Sequence, residues 1–184
     1  PMKRLFFSIL FMLNMAASLI AHAEKVDSEK PTNVEADQMA YDDTKQINTF
    51  SGNVVLTRGS LIMRASKVVV THDAAGHQFA TLYAAPGGLA TYRQKRDGGP
   101  NLWIEGQAER IAYDGKMEQV KLFSKAKIRR LDGIKLTDEV EGEFITYDSR
   151  AEFFLVNNTA SGESKPGAGR IKATIQPQTE QRDK

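Results

Sequence analysis

FSGNVVLTRGSLIMRASKVVVT, residues 50–71, has the pattern of two or three short β-strands joined by tight corners. Side chains two positions apart point to the same face of a pleated strand, so apolar residues at that spacing predict a strand with one buried face. The polar segments 58–60 and 64–67 separate the apolar pairs and are predicted turns or corners. The pairs are Val54 with Leu56, Leu61 with Met63, and Val68 with Val70.

The same strand pattern recurs elsewhere in the chain. Residues 36–42 read ADQMAYD, residues 108–114 read AERIAYD and residues 142–148 read GEFITYD, with a looser fourth copy, ASKVVVT, at residues 65–71. A repeated strand unit is typical of a stack of similar rungs, each of which buries its apolar face on its neighbours.

Glycines divide the rest of the chain into short segments, which is typical of an all-β protein. Asp132-Gly133 predicts a tight hairpin, residues 161–169 (SGESKPGAG) a linker, and residues 170–176 (RIKATIQ) a final alternating strand. The best helical candidate is residues 107–113 (QAERIAY), and it is short.

The amino-terminal residues have the pattern of a secretory signal peptide. Lys3 and Arg4 precede an apolar run over residues 5–20, and Ala21-His22-Ala23 forms an A-x-A cleavage site. A membrane anchor is the alternative, but the run is shorter than the ~20 residues that a span usually needs. We therefore predict a signal peptide at 1–23, a flexible lead at 24–30, one β-domain at 31–177 and a disordered polar tail at 178–184.

Composition narrows the classes of function. The chain has 25 basic and 23 acidic residues, so removing Lys3 and Arg4 leaves equal numbers, which argues against a nucleic-acid partner. The absence of cysteine excludes disulfides and thiol chemistry. His72 and His77 lack a third ligand or a carboxylate cluster, so no metal site is expected, and no cofactor is predicted.

Motifs of common enzyme classes are missing from the sequence. Two pairs of acidic residues, Asp42-Asp43 and Asp138-Glu139, resemble a glycosidase pair in composition. Neighbouring residues of a strand point to opposite faces, so neither pair converges on one bond. The sequence therefore predicts a protein that is not an enzyme.

Several motifs resemble the OstA-like family of periplasmic lipopolysaccharide-transport proteins. They are VEADQ at 34–38 with Tyr41-Asp42, FSGNVVLT at 50–57, ASKVVV at 65–70, GQAERIAYD at 106–114 and GEFITYD at 142–148. The resemblance implies an all-β, open, folded-over antiparallel sheet of many short strands, known as a β-jellyroll or β-taco.

The resemblance also implies a function. Family members bind lipopolysaccharide in the periplasm, shield its lipid A acyl chains in an apolar groove, and bridge the inner and outer membranes by head-to-tail strand pairing for outer-membrane assembly. The implied partners are lipopolysaccharide, an LptC-like inner-membrane protein, an LptD-like outer-membrane protein and further copies of the same chain.

Apolar and aromatic residues of the predicted strands are the candidates for the groove lining. From the residues alone, an ordinary closed core is the alternative interpretation, and a register error of one residue would move a whole strand's set to the other face. The predicted lining residues are Val34, Tyr41, Val54, Leu56, Val68, Val70, Tyr92, Ile104, Ile111, Tyr113, Ile134, Leu136, Phe144 and Tyr147.

Two further features have a functional and a neutral interpretation. Trp103 is either a cap on the groove mouth or a packed rim residue. Basic residues near predicted strand ends, among them Arg58 and Arg96, either meet lipid phosphates or form a solvated face.

Two other classes of protein remain open at this point. One is an exported β-solenoid enzyme acting on polysaccharide, which would need an acidic or basic cluster on one face. The other is a structural β-rich scaffold module, which would have a closed, filled core and bind no lipid.

Overall fold

A computed structural model describes residues 27–177. The predicted signal peptide at 1–23, the start of the predicted lead and the predicted tail at 178–184 lie outside these residues. Apart from a short 3-10 turn at Asp27–Glu29, the regular structure is entirely β. The strands are β1 Asn33–Glu35, β2 Gln38–Asp42, β3 Ile47–Arg58, β4 Leu61–His72, β5 Gln78–Tyr83, β6 Ala90–Lys95, β7 Leu102–Ala108, β8 Arg110–Asp114, β9 Gln119–Asp132, β10 Lys135–Asp148, β11 Phe153–Asn157 and β12 Lys172–Ile175.

Two long hairpins, β3–β4 and β9–β10, form the frame of the sheet. The β3–β4 pair shifts register between Ser51 and Val54, where Gly52 and Asn53 both have positive φ. The β9–β10 pair shifts between Gly142 and Phe144. A β-bulge bends the strand that carries it, so each hairpin is bent near its middle.

These bends fold one sheet into two facing layers. The four long strands β3, β4, β9 and β10 run through both layers, and the short strands pair with one half of them or the other. Every pair of neighbours is antiparallel. The first layer has the order β2-β3-β4-β5-β8-β9-β10-β11, and the second has the order β1-β3-β4-β6-β7-β9-β10-β12.

The repeated sequence segments occupy equivalent places in this architecture. Segments 36–42, 65–71, 108–114 and 142–148 each follow the bend and enter the first layer, in β2, β4, β8 and β10. Residues 107–113, the best helical candidate, belong to β7 and β8. Residues 64–67 form no turn but continue β4 through the bend, opposite the register shift between Ser51 and Val54.

The core lies between the two layers. Alternate residues of each strand point inward, so that the two apolar faces cover one another, as in a sandwich. The inward side chains include Val54, Leu61, Met63, Val68, Leu82, Tyr92, Ile104, Ile111, Val120, Leu122 and Ile145, all exposed by 1% or less.

The sheet does not close into a barrel. Within the described residues, β1 and β2 pair only with β3, and β11 and β12 pair only with β10. One edge of each terminal strand is therefore free. This confirms the predicted fold class, an open antiparallel sheet folded over on itself. Among residues 27–177, no helix has the length and hydropathy to cross a membrane.

Candidate functional site

The interior between the layers is lined by rows of side chains that cross the whole sheet. Residues paired across neighbouring antiparallel strands point to the same face, so the register defines each row. The first row is Tyr41, Asn48, Val70, Ala80, Tyr113, Val120, Tyr147 and Phe154. The second row is Met39, Phe50, Val68, Leu82, Ile111, Leu122, Ile145 and Val156.

A third row crosses the second layer and faces the other two. Its members are Val34, Leu56, Met63, Tyr92, Gly106, Ile128, Val140 and Ala173. Each row begins at one free edge of the sheet and ends at the other. At the amino-terminal edge the inward side chains of Met39 and Tyr41 are still 56% and 50% exposed, so the apolar interior reaches the end of the molecule.

Most of the predicted lining residues lie on this inward surface. Tyr41 and Val34 lie in the terminal strands, where they are partly exposed. The others are buried between the layers: Val54, Leu56, Val68, Val70, Tyr92, Ile104, Ile111, Tyr113 and Tyr147.

Three predicted lining residues lie outside the interior, and their assignment is corrected. Ile134 is in the β9–β10 turn and is 99% exposed. A bulge between Leu136 and Asp138 turns Leu136 to the outer face, paired with Leu131. The bulge after Gly142 likewise turns Phe144 outward, where its ring packs against that of Phe123 at 5.0 Å.

The interior is filled by the protein's own side chains. A cavity beside Leu56, Met63 and Tyr113, between the layers, measures about 10 Å³. That is about the space of one water-sized sphere. A hydrocarbon chain can therefore enter only if the two layers move apart.

A larger space of about 680 Å³ opens opposite the bends, where the ends of both layers meet. We call this space the mouth. The second layer contributes Ser60, Gln94 and Arg96 to it, and the first layer contributes Glu118 and Arg150. Polar and charged residues thus border the apolar interior along one side.

Three tyrosines lie beneath the mouth: Tyr92, Tyr113 and Tyr147. The rings of Tyr92 and Tyr147 lie 6.5 Å apart, one from each layer. Burial raises the pKa of all three phenols, that of Tyr147 to about 12. The hydroxyls therefore stay protonated at neutral pH, and that of Tyr92 donates a hydrogen bond to Gln94 Oε1 at 2.6 Å.

Few polar contacts join the two layers across the mouth. Thr32 Oγ1 donates to Gln78 Oε1 at 2.5 Å. Arg96 Nε lies 3.3 Å from Glu152 Oε1 as an ion pair without hydrogen-bond geometry. Sequence reasoning drew attention to Arg96 but missed Gln78 and Glu152, because no local pattern shows that these distant residues meet.

The 3-10 turn at Asp27–Glu29 lies in the mouth. Residues 27–30 belong to the predicted flexible lead, yet they are held by hydrogen bonds. Asp27 accepts from Ser60 and Gln94, and the guanidinium of Arg58 donates to the carbonyl of Ser28. We call residues 27–30 the strap.

Several other basic residues near strand ends lie on the outer faces. Arg93 and Arg129 both pair with Glu105, and Lys67 lies 5.6 Å from the ring centroid of Tyr83. Trp103 is also on the outer face, with the Arg93 guanidinium 4.3 Å from its ring centroid. The interpretation of Trp103 as a cap on the groove mouth is therefore wrong.

The candidate metal and catalytic groups do not converge. Over residues 27–177, no group of three or more His, Cys, Asp or Glu side chains is arranged to hold a metal ion. His77 Nδ1 instead lies 2.9 Å from Asp73 Oδ2 within the β4–β5 turn. Asp138 pairs with Arg130 Nε at 2.9 Å.

Together, the open bent sheet, the apolar interior and the two free edges define the class of open β-jellyroll proteins. The family model described as "LptA/(LptD N-terminal domain) LPS transport protein" matches residues 33–153. The chain therefore belongs to this family, which confirms the family expected from the sequence.

Individual relatives agree with this assignment. The lipopolysaccharide export system protein LptA of Haemophilus influenzae is 32% identical over 95% of this chain and 97% of its own length. LptA of Escherichia coli K12 is 33% identical over 72% of this chain and 68% of its own length. The crystal structure of LptH from Pseudomonas aeruginosa, described as a periplasmic component of the lipopolysaccharide transport device, superposes with a TM-score of 0.70 at 28% identity, covering 82% of this chain and 99% of that one.

Proposed function

We propose that this protein is a periplasmic lipopolysaccharide carrier that shields the acyl chains between its two layers and bridges the inner and outer membranes by head-to-tail pairing. The observation that carries the proposal is the set of mostly apolar inward rows that run from one free edge to the other, of which the second is apolar at every position. The names of its relatives, lipopolysaccharide export system proteins, supply the substrate class. No chemical step is required.

Lipid entry requires the mouth to widen while the bends act as the hinge. The contacts across the mouth are few and polar, whereas the continuous hydrogen-bonded strands cross the bends. Each methylene transferred from water contributes about 0.8 kcal/mol. Acyl chains entering between the rows replace one set of apolar contacts with another, so the lining stays covered.

The free edges match one another for self-association. β1 and β12 both belong to the second layer, and β2 and β11 both belong to the first. Strand direction alternates across each layer, so β1 and β2 of one copy would meet β12 and β11 of the next in antiparallel orientation. Pairing of edge strands joins proteins through backbone hydrogen bonds, and this head-to-tail contact does not close into a dimer.

Charge and apolar surface support the same arrangement. The amino-terminal edge carries the exposed acids Glu35 and Asp37, and the carboxyl-terminal edge carries the exposed bases Arg170 and Lys172. Ile175, 76% exposed, pairs with the inward Asp138 and extends the inner face at the carboxyl-terminal edge. Stacked copies would therefore form one continuous interior, with an LptC-like protein and an LptD-like protein pairing with the terminal edges.

A scaffold module is the second candidate function, and the filled interior favours it. A polysaccharide-acting enzyme has no comparable support from the described residues, whose acidic groups are paired or dispersed.

Photocrosslinking separates the carrier from the scaffold. Benzoylphenylalanine in place of Tyr113 points into the interior, whereas the same residue in place of Tyr83 points outward from the paired strand β5. The carrier predicts a lipopolysaccharide adduct at position 113 and none at position 83. Absence of an adduct at 113, or equal labelling at both positions, would favour the scaffold.

A further inference from the structure

We propose that the mouth contains an anion site for a phosphate on the sugar headgroup of the bound lipid, and that the Asp27 carboxylate of the strap occupies this site until lipid displaces it. The inference rests on the proposed function and names the part of the lipid that the mouth recognises.

The site is built from donors that converge on one carboxylate. The Ser60 backbone N–H donates to Asp27 Oδ1 at 2.8 Å, the Ser60 hydroxyl donates to Oδ2 at 2.5 Å, and Gln94 Nε2 donates to Oδ2 at 3.0 Å. Gly59 makes the close approach possible, because a Cβ there would collide with Asp27 and its φ of 59° is one that glycine tolerates.

A hydrogen bond from Tyr92 fixes the orientation of the Gln94 side-chain amide. The Tyr92 hydroxyl, which is buried and stays protonated, donates this bond to Gln94 Oε1. The amide nitrogen must then point away from Tyr92 and toward the mouth. The donor is therefore in place before an anion arrives, so binding carries no cost for reorienting this amide.

Arginines beside the site have donor capacity left over. Arg58 Nε is buried without a hydrogen-bond partner, and Arg96 Nε is buried with only the ion pair to Glu152 at 3.3 Å, which lacks hydrogen-bond geometry. One Arg58 terminal nitrogen donates to the Ser28 carbonyl of the strap, so this donor too is released when the strap leaves. A phosphate carries more charge and more acceptor oxygens than a carboxylate, and arginine is well suited to bind it.

The position of the site fits a lipid headgroup. Ser60 precedes Leu61, and Gln94 lies two residues after Tyr92, both of which point into the apolar interior. A molecule with its acyl chains between the layers would place a phosphate-bearing sugar in the mouth. The strap then acts as an internal competitor that covers polar donors while the interior is closed.

The test compares two synthetic lipid A molecules that differ only in their phosphates, a bisphosphorylated form and its dephosphorylated counterpart. Binding to the exported chain is measured by calorimetry for the wild type, Asp27→Ala, Ser60→Ala and Gln94→Glu. Asp97→Ala is the matched control, because Asp97 also lines the mouth but does not contact Ser60 or Gln94.

We expect Asp27→Ala to raise the ratio of the affinity for phosphorylated lipid to the affinity for dephosphorylated lipid about tenfold. The reason is that the substitution removes one charged competitor, and a tenfold change corresponds to about 1.4 kcal/mol. Ser60→Ala and Gln94→Glu also weaken the hold on Asp27, so they are made in the Asp27→Ala background, where they should lower that ratio. Asp97→Ala should leave the ratio unchanged. Inorganic phosphate alone should shift the Ser60 amide resonance in Asp27→Ala more than in the wild type.

Equal ratios in all variants would overturn the inference, while continued binding of the dephosphorylated lipid would leave the carrier function standing. A Ser60 shift with inorganic phosphate but no binding of either lipid would refute both the lipid assignment and the carrier function, and would identify free phosphate as the ligand.

Discussion

One added methyl group at Gly106 should destabilise the closed interior. A Cβ at this position would lie 2.9 Å from Leu122 Cδ2 and 3.6 Å from Tyr92 Cδ1. Both neighbours are buried in the packed interior, Leu122 at 0% and Tyr92 at 1% exposure, so neither can move aside freely. Gly106 belongs to the third row in the second layer, and Leu122 belongs to the second row in the first layer. The substitution Gly106→Ala therefore pushes the two layers apart.

The magnitude follows from two opposing effects. Overpacking a core costs about 1–3 kcal/mol. Gly106 has no positive φ, so alanine fits the backbone and regains about 0.4–1 kcal/mol by restricting the unfolded chain. The net loss should be roughly 0.5–2 kcal/mol, or a few degrees in Tm for a chain of this size.

Urea and thermal unfolding measure this loss, with two matched variants. Gly99→Ala is the control, since its Cβ would meet Leu102 at an ordinary 3.5 Å. Gly106→Ala with Leu122→Val should recover part of the loss, because the second change removes the crowded methyl. A Gly106→Ala protein as stable as the control, or a double variant that is simply additive, would refute the packing argument.

Four other outcomes are expected. Leu82→Ala, at a fully buried position, should cost about 2–5 kcal/mol in urea unfolding; a loss below 1 kcal/mol would mean that the interior relaxes readily. Ile134→Asp, at the exposed turn, should change neither unfolding nor lipid binding, and lost binding would contradict its outward placement. Tyr147 has its pKa raised from 10.0 to about 12 by burial, so the native state holds this proton more tightly. The contribution of this group to the free energy of unfolding is complete below pH 10 and is lost between pH 10 and 12. Tyr147→Phe should therefore reduce the fall of the free energy of unfolding over that pH range. An unchanged fall would mean that other groups cause it. Lys172→Glu, at the carboxyl-terminal edge, should weaken concentration-dependent elongation in light scattering, most at low salt, and unchanged elongation would exclude charge matching at that edge.

The local sequence pattern predicted the fold class because apolar residues still alternate with period two in the part of each long strand on either side of its bend. Val54 with Leu56 and Val68 with Val70 point inward as expected, since each pair lies entirely on one side of a bend. The family resemblance then supplied what alternation alone cannot, the folding of one sheet into two layers.

The wrong orientations have a physical cause. An irregularity in strand pairing changes the face that the following residues present. Leu136 and Phe144 each lie across a register shift from inward-facing positions of β10. Gly142 stands at one of these shifts, but period-two alternation alone does not show at which residue the face changes. The strap was missed for a different reason, because Asp27 meets Ser60 and Gln94 only once the strands are folded.

The filled interior has a consequence for release as well as for entry. Acyl chains held between the layers would stay out of water both in one copy and in the next. Passing from copy to copy would therefore change the free energy of the cargo little, even though each copy binds it more favourably than water does. Because the two layers pack against each other in the closed structure, a carrier without cargo would expose apolar lining to stray acyl chains only near its terminal strands.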